Sequence, residues 1–472
     1  MNDAFEDDLL GLAARVARRE VSPPELVDAA IARIERAEPL VGGIAVELFE
    51  QARAAARAPG AADGPLGGVP YLLKDLGHGH AGVPTTFASD WTRDLVPTAD
   101  SVFGTRIKRA GLIALATTTV GELAIPASAE SRRFGATRNP WDPGRVAGGS
   151  SGGAAAAVAS GMVPAAHASD QTGSIRIPAS CCGLYGLKPS RGRVSSAPDA
   201  EDLTGMTTQH AITRTVRDSA VLLDVVAGNL PGDLHRAAPP AGSFLDATQR
   251  DPRTLRIALS TLPPSGEPPA PDCVAATEAA ARLLEQLGHV VEPAAPELPA
   301  EPIGRALATI ELVGVAQFAG WMERELGPAK GPLPATIAEL VAGGVKIGAV
   351  EWIETIASLQ RLTRAADAIW ERYDLWLTPT LAQPPVPLGE LVVTHPAERF
   401  FAAHERFTPF APTANWTGWP AATVPLHWND DELPIGVQLT AAHGDEALLL
   451  SVSAQLERAQ PWQSRRAPLS VG

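Results

Sequence analysis

Three features of the sequence predict an α/β fold, in which helices cover both faces of a β-sheet. Short apolar runs alternate with amphipathic helical patterns, as in the helix at residues 101–110 followed by the strand at 112–116. Hydrophobic residues make up 45% of the 472-residue chain, which is enough to bury a sizeable core. Gly and Pro, with 43 of each, separate these elements. We therefore expect a globular chain that is rich in loops.

The helices are predicted from apolar spacing and from capping signals. Residues 3–37 carry helical periodicity, and one face is formed by Leu9, Leu10, Ala13, Val16 and Ala17. Ser22 is placed as the N-cap of a second helix, with Glu25 three positions on, as in a capping box. Further helices are predicted at 47–57, 101–110, 154–160, 213–228 and 275–287, over most of 303–373, and at 446–459.

The strands are predicted from short apolar runs bounded by turn residues. They lie at 71–73, 112–116, 255–259, 290–292, 375–380, 423–426 and 435–439. Residues 407–420 are rich in aromatic side chains and are predicted to form a loop.

Composition excludes several classes of partner. The net charge of −14 disfavours binding to nucleic acid or to an anionic membrane surface. The three cysteines form no disulfide framework, and the acidic start of the chain does not resemble a signal peptide. The long uncharged run at 148–168 is too weakly apolar to span a bilayer. These features predict a cytoplasmic protein without a membrane span, and they leave a homodimer open.

The stretch from Gly148 to Val194 is poor in charge and rich in Gly, Ser and Ala. Glycines flank Ser150 and Ser151, and Ser174 follows in a second small-residue segment. Glycine clusters occur where the backbone turns sharply or approaches a ligand closely, and serines beside such turns are candidate nucleophiles. A small-residue helix packed between two turns explains the same pattern, so spacing alone does not decide between the two interpretations.

Lys74 directly follows the buried strand predicted at 71–73. A lysine in that position is not placed like a solvated surface charge. An edge ion pair between Lys74 and Asp75 is the alternative interpretation.

Other catalytic patterns fit the sequence poorly. Residues 148–152 satisfy the G-x-S-x-G pattern of a nucleophile elbow, but a loop precedes them where an elbow requires a strand. The glycine run lacks the Lys-Ser/Thr of a phosphate-binding loop. No His, Asp or Glu cluster has metal-ligand spacing, and His78 and His80 are predicted to be surface loop residues.

Longer motifs resemble the amidase signature family of serine hydrolases along essentially the whole chain. The matching segments are Gly68–Asp75 (GVPYLLKD), Gly148–Gly153 (GGSSGG), Asp170–Ala179 (DQTGSIRIPA), Cys182–Pro189 (CGLYGLKP), Leu377–Thr380 (LTPT), Asn415–Pro420 (NWTGWP) and Leu433–Gln438 (LPIGVQ). The resemblance implies one domain across 1–472, with a central mixed, twisted sheet of many strands and helices on both faces. It places the signature core at about 60–230 and a variable, substrate-lining helical region at about 295–410.

The resemblance also implies a Ser–cis-Ser–Lys triad. Ser174 matches the nucleophile, Ser150 matches the serine on a cis peptide bond, and Lys74 matches the base. A lysine accepts a proton near neutral pH only where burial lowers its pKa, and the apolar run at 71–73 is suited to provide that setting. The implied reaction is hydrolysis of a carboxylic amide through an acyl-enzyme, on a small-molecule amide and without a metal or organic cofactor.

The family pattern assigns further roles around the nucleophile. The backbone N–H groups of Gln171, Thr172, Gly173 and Ser174 match an oxyanion hole. Asp170 and Arg176 are expected to pair and brace this loop, and Ser151 is expected to support the triad. Thr172 departs from the pattern, because the family usually has glycine there. A β-branched residue resists a positive φ, so we expect altered, narrower acyl specificity.

The aromatic side chains of the C-terminal half predict the kind of substrate. A hydrophobic funnel suited to aryl, acyl or linear-oligomeric amides, or to carbamates, is predicted from Phe318, Trp321, Trp352, Phe400, Phe401, Trp416 and Trp419. The alternative is that these side chains belong to the core. Two other functions are considered from the sequence: an amidase-like subunit of a transamidation complex, and a non-catalytic binding or scaffold relative.

Overall fold

The computed structural model describes residues 6–77, 79–198 and 203–471. His78 lies outside the described residues, and His80 is buried, so its predicted surface position is wrong. The strands are β1 Ile44–Glu47, β2 Pro70–Lys74, β3 Ile113–Thr118, β4 Glu130–Ser131, β5 Gly135–Ala136, β6 Ala165–Asp170, β7 Tyr185–Lys188, β8 Thr208–Thr213, β9 Arg256–Leu259, β10 Val290–Pro293, β11 Leu375–Pro379, β12 Ala421–Trp428 and β13 Pro434–Ala441.

The helices lie between these strands. They are α1 Leu9–Ala17, α2 Pro23–Val41, α3 Phe49–Arg57, α4 Val102–Arg109, α5 Gly152–Ala159, α6 Arg176–Cys182, α7 Val216–Val226, α8 Phe244–Ala247, α9 Pro271–Gln286, α10 Ala300–Leu326, α11 Ala335–Gly344, α12 Ala349–Ala366, α13 Ala397–Phe407, α14 Pro412–Thr417 and α15 Glu446–Ala459.

Within the described residues, eleven strands form one mixed sheet, which is the α/β architecture that the sequence predicts. Its order is β1-β3-β2-β6-β8-β7-β12-β13-β11-β9-β10. The strands β3, β2 and β6 are parallel neighbours, as are β11, β9 and β10. The central strands from β6 to β13 pair antiparallel. Because β2 and β6 are adjacent, the residues at their carboxyl ends meet at one edge of the sheet.

Helices pack on both faces of this sheet. Alternate side chains of a strand point to opposite faces, and β2 shows this directly. Tyr71 and Leu73 belong to one apolar cluster, together with residues of α1, α4, α7, α9 and α15. Leu72 belongs to a second cluster, together with residues of α2, α3, α5 and α6. The strand that ends in Lys74 is therefore buried on both sides.

Most predicted elements are present, and the exceptions have local causes. The capping box of Ser22 and Glu25 forms at the start of α2. In α1, Leu12 is buried and Ala17 is exposed, so the predicted apolar face is wrong at Ala17. Residues 412–417 form a short helix inside the predicted aromatic loop. The sequence analysis missed β6, because its alanines and polar residues lack the β-branched side chains that favour strands.

The helical region between β10 and β11 contains the longest helix, α10. By length and composition α10 is apolar enough to cross a membrane, which the sequence analysis did not notice. In this fold it packs against α11, where Leu312 and Ala316 lie against Gly344.

The aromatic side chains that the sequence assigned to a funnel divide into two groups. Phe400, Trp416 and Trp419 are at most 2% exposed and belong to apolar clusters of the core, so the funnel prediction is wrong for these three. Phe318, Trp321 and Trp352 are half-buried, and Phe401 is exposed.

Candidate active site

Lys74 lies at the carboxyl end of β2 and is fully buried. Its Nζ is 2.9 Å from Ser150 Oγ, 2.9 Å from Ser169 Oγ and 3.3 Å from the Ser169 carbonyl oxygen. Its backbone N–H donates to Nδ1 of His167 at 3.2 Å. Because His167 and Ser169 are two residues apart on β6, their side chains lie on the same face of this neighbouring strand. Both contact Lys74 from that face.

The surroundings of Lys74 favour its neutral form. Burial lowers the pKa of this ammonium group from 10.5 to about 7, although the nearby charge of Asp170 opposes the shift. Asp75 does not pair with it. The Asp75 carboxylate accepts hydrogen bonds from the Thr86 N–H, the Thr86 hydroxyl and the Ala88 N–H. The alternative interpretation of an edge ion pair is therefore wrong.

The glycine-rich segment before α5 brings Ser150 to the lysine. The Gly149–Ser150 peptide bond is cis. A Cβ at Gly149 would lie 2.5 Å from the Ser128 backbone nitrogen, and one at Gly153 would lie 2.5 Å from the Thr119 nitrogen. Only glycine permits such close approaches of two backbones. The Ser151 hydroxyl donates to the same Ser169 carbonyl that contacts Lys74.

The loop between β6 and α6 is organised by the Asp170 carboxylate. Oδ1 accepts from the Gly173 N–H at 2.8 Å, and Oδ2 accepts from the Ile175 N–H at 3.1 Å. Gly173 has a φ of 128°, which favours glycine, whereas Thr172 does not have a positive φ. The strain that the sequence suggested at Thr172 is therefore not present.

A buried polar network holds this loop from behind. Arg176 forms the expected pair with Asp170, through two hydrogen bonds of 3.0 Å, and both side chains are fully buried. Arg176 also donates to Asn415 Oδ1 at 2.6 Å and to Gln438 Oε1 at 2.8 Å. Asn415 in turn donates to Asp170 Oδ1 and to the Met206 carbonyl oxygen. Residues about 240 positions away along the chain thus fix the loop.

The Asp170 carboxylate stays ionised within this network. Burial by itself would raise its pKa, but the Arg176 charge and the hydrogen bonds from Arg176 and Asn415 outweigh burial and lower the pKa to about 2. Removing two charges from water costs free energy, and hydrogen bonds to both partners help to offset that cost.

Ser174 occupies the end of the loop, just before α6, and is partly exposed. In the described part of the chain, no hydrogen bond joins its hydroxyl to Ser150 or Lys74. The N–H groups of Gln171, Thr172 and Ser174 donate to no described protein group. The Gly173 N–H is engaged by Asp170, so the predicted set of four free donors needs correction at Gly173.

The family model for amidases matches residues 25–450. The chain belongs to the amidase signature family. It is 36% identical, over 98% of its length and 96% of the relative, to the 6-aminohexanoate-cyclic-dimer hydrolase of Paenarthrobacter ureafaciens. The solved structure of a 6-aminohexanoate cyclic dimer hydrolase complexed with substrate is similar, with a TM-score of 0.93, 34% identity and coverage of 98% of this chain and 99% of that one.

A bacterial aryl acylamidase is also similar in structure. The TM-score is 0.88, the identity is 26%, and the match covers 98% of this chain and 97% of that one. As a member of this family the chain is an amidase, which hydrolyses the C–N bond of carboxylic amides.

Sequence analysis missed two residues of this candidate site. Ser169 contacts the lysine amine, and Asn415 holds both Asp170 and Arg176. Polar residues alternate with alanines in β6, and this pattern could have indicated that Ser169 lies on a polar face of a strand. Asn415 belongs to a motif that matches the family, but its contacts with Asp170 and Arg176 join segments that are far apart in the chain, so the sequence gives no local signal for them.

Proposed function

We propose that this amidase cleaves its substrate through an acyl-enzyme on Ser174, with Ser150 as the proton relay and Lys74 as the base. The observation that carries the proposal is the 2.9 Å contact between Lys74 Nζ and Ser150 Oγ. It occurs where burial lowers the pKa of Lys74 to about 7. A base with a pKa near the working pH is the most effective one.

In the first half of the reaction, Ser174 Oγ attacks the amide carbon and its proton passes through Ser150 to neutral Lys74. The Lys74 ammonium then returns a proton through Ser150 to the nitrogen of the leaving amine, and the C–N bond breaks. In the second half, water attacks the acyl-enzyme with the same proton relay. The carboxylic acid is released, and Ser174 and neutral Lys74 are regenerated.

The contacts of Lys74 support this assignment of roles. A neutral amine has two N–H groups and one lone pair. The Ser169 carbonyl oxygen only accepts hydrogen bonds, so it takes one N–H. We infer that Ser169 Oγ takes the other N–H, which leaves the lone pair of the neutral amine for the proton of Ser150.

The oxyanion hole is proposed from the N–H groups of Gln171, Thr172 and Ser174. These donors lie in the loop that carries the nucleophile, and no acceptor among residues 6–77, 79–198 and 203–471 uses them. The Gly173 N–H serves instead to anchor the loop to Asp170. A single donor of this kind contributes about 2.7–4 kcal/mol of transition-state stabilisation in a well-studied protease.

The substrate is proposed to be a hydrophobic, aryl or linear-oligomeric amide, or a related carbamate. The half-buried rings of Phe318, Trp321 and Trp352 support this. The similar proteins named for a cyclic 6-aminohexanoate dimer and for aryl acylamides support it as well.

We infer one domain, because strands from residues 44 to 441 share one sheet. The acidic net charge and the three free cysteines support a cytoplasmic enzyme without a nucleic-acid partner. No observation favours the transamidation subunit or the scaffold relative considered from the sequence.

The experiment that tests the triad is intact-mass analysis after treatment with a serine-reactive fluorophosphonate. We expect a single adduct on the unmodified protein, no adduct on Ser174→Ala and slowed labelling of Lys74→Ala. An adduct that persists in Ser174→Ala and disappears in Ser150→Ala would refute the assignment of the nucleophile. Turnover of a panel of acyl anilides, matched small amides and carbamates then tests the substrate class, which fails if small hydrophilic amides react much faster than anilides.

A further inference from the structure

Glu311 is a carboxylate in the middle of the apolar helix α10 that has no partner among the described residues. Its side chain is half-buried, and no hydrogen bond or ion pair joins it to any described residue. Burial raises the pKa of Glu311 to about 7, and no charged neighbour contributes to the shift. Enclosing a carboxylate without a cation is unfavourable for the folded protein, and groups kept in this way are frequent at binding sites.

The two halves of α10 pack against different segments that adjoin the candidate active site. Ile310 belongs to the apolar cluster that contains Met206 and Trp416. The Met206 carbonyl accepts from Asn415, which also holds Asp170 in the loop before Ser174. The first half of α10 is thus connected to the side of the site that carries the nucleophile.

The second half of α10 contacts the side that carries the lysine. The Phe318 ring packs on Phe87, with 5.0 Å between centroids, and stacks on Trp321 at 5.7 Å. The Phe87 N–H donates to the carbonyl oxygen of Asp75, the residue after Lys74. Glu311 precedes Phe318 by seven residues, which is two turns on the same face of the helix.

There is open space beside Glu311 on this face. Gly314 lies three residues after Glu311, and a Cβ at Gly314 would have no heavy atom within 4 Å. Residues three apart in a helix are neighbours on its surface. Glu311 therefore lies on α10 between these two contacts, beside an open space and two turns before the ring of Phe318.

We propose that Glu311 binds an ammonium group of the amide substrate. An ammonium head on an aliphatic chain suits this arrangement, because the carboxylate accepts its N–H groups while the rings of Phe318 and Trp321 contact the chain. The proposal rests on the proposed function of the same site and narrows it: the preferred substrates are amides that carry a protonated amine away from the scissile bond.

The test compares matched substrates on the unmodified protein and on Glu311→Gln. One pair consists of an ω-aminoacyl 4-nitroanilide and the acyl anilide of equal length without the amine. The second pair consists of an acyl amide of a diaminoalkane and the amide of the corresponding monoamine. Both pairs are measured with chains of two to seven methylenes. Glu323→Gln, an exposed glutamate of the same helix, is the control, and Glu311→Asp keeps the charge.

We expect kcat/KM of the unmodified protein to favour the ammonium substrate in at least one pair. Glu311→Gln should remove about tenfold or more of kcat/KM for that substrate, mainly through KM. Glu311→Gln should change kcat/KM for the neutral substrate of the pair by no more than about twofold. Glu311→Asp should restore part of the preference for the ammonium substrate. Glu323→Gln should have no effect. An equal loss for charged and neutral substrates, or no preference in either pair, overturns the proposal. The proposed function fails separately, if none of the amides is hydrolysed and Ser174 forms no fluorophosphonate adduct.

Discussion

The ionisation of Lys74 gives the most direct test of the proposed chemistry. Burial lowers its pKa from 10.5 to about 7, a difference of roughly 5 kcal/mol between the two protonation states. At pH 7 about half of the molecules then hold a neutral lysine, compared with roughly one in 3,000 at the ordinary pKa. The structure therefore accounts for about three orders of magnitude in the population of the active base.

The perturbation is pH, and the assay is the second-order rate of fluorophosphonate labelling between pH 5.5 and 9, followed by intact mass. Only the neutral amine accepts a proton, so the rate should rise about tenfold per pH unit well below pH 7 and level off above pH 8. Lys74→Ala should be slower by about 10²–10⁴-fold, the usual contribution of general-base catalysis, and should lose this dependence on pH.

Lys188 offers a matched control, because it is a second fully buried lysine whose pKa burial lowers to about 7. Its Nζ donates to the Pro189 carbonyl oxygen rather than to either serine. Lys188→Met should therefore keep the midpoint near pH 7. A flat profile, a midpoint near pH 10, or a midpoint that is lost in Lys188→Met would refute the assignment of Lys74 as the base.

Three further substitutions test parts of the site. Ser169→Ala should lower kcat and move the acidic midpoint of the pH profile to lower pH, because the hydroxyl stabilises the Lys74 ammonium. Ser169→Thr should keep kcat and the midpoint of the unmodified protein. Unchanged kinetics in Ser169→Ala would contradict this role of the hydroxyl. Asn415→Leu should cost about 1–3 kcal/mol in urea unfolding, since it removes the acceptor of a buried Arg176 N–H group and leaves that donor unsatisfied. The exposed Gln317→Leu should cost less than about 0.5 kcal/mol. Thr172→Gly removes a half-buried side chain two residues before Ser174 and should therefore raise kcat/KM for bulky acyl anilides relative to small ones; an untouched profile would show that Thr172 does not restrict the acyl group.

The sequence predicted most of the elements of this fold, and for a physical reason. Strands such as β2 and helices such as α15 are encoded by local apolar periodicity, which one segment carries by itself. The strand β6 was missed because its alanines carry no such signal, yet it lies between β2 and β8 in the sheet. β6 forms a strand because β2 and β8 on either side of it supply the partners for its backbone hydrogen bonds.

The family, the amide chemistry and the candidate residues Lys74, Ser150 and Ser174 could all be named from motifs in the sequence. What only the tertiary structure decided is how these residues are surrounded. The low pKa of Lys74 requires burial from both faces of β2, and Asn415 reaches Asp170 across 245 positions of the chain. Burial and long-range hydrogen bonds depend on packing between distant segments, and no local pattern of residues encodes them.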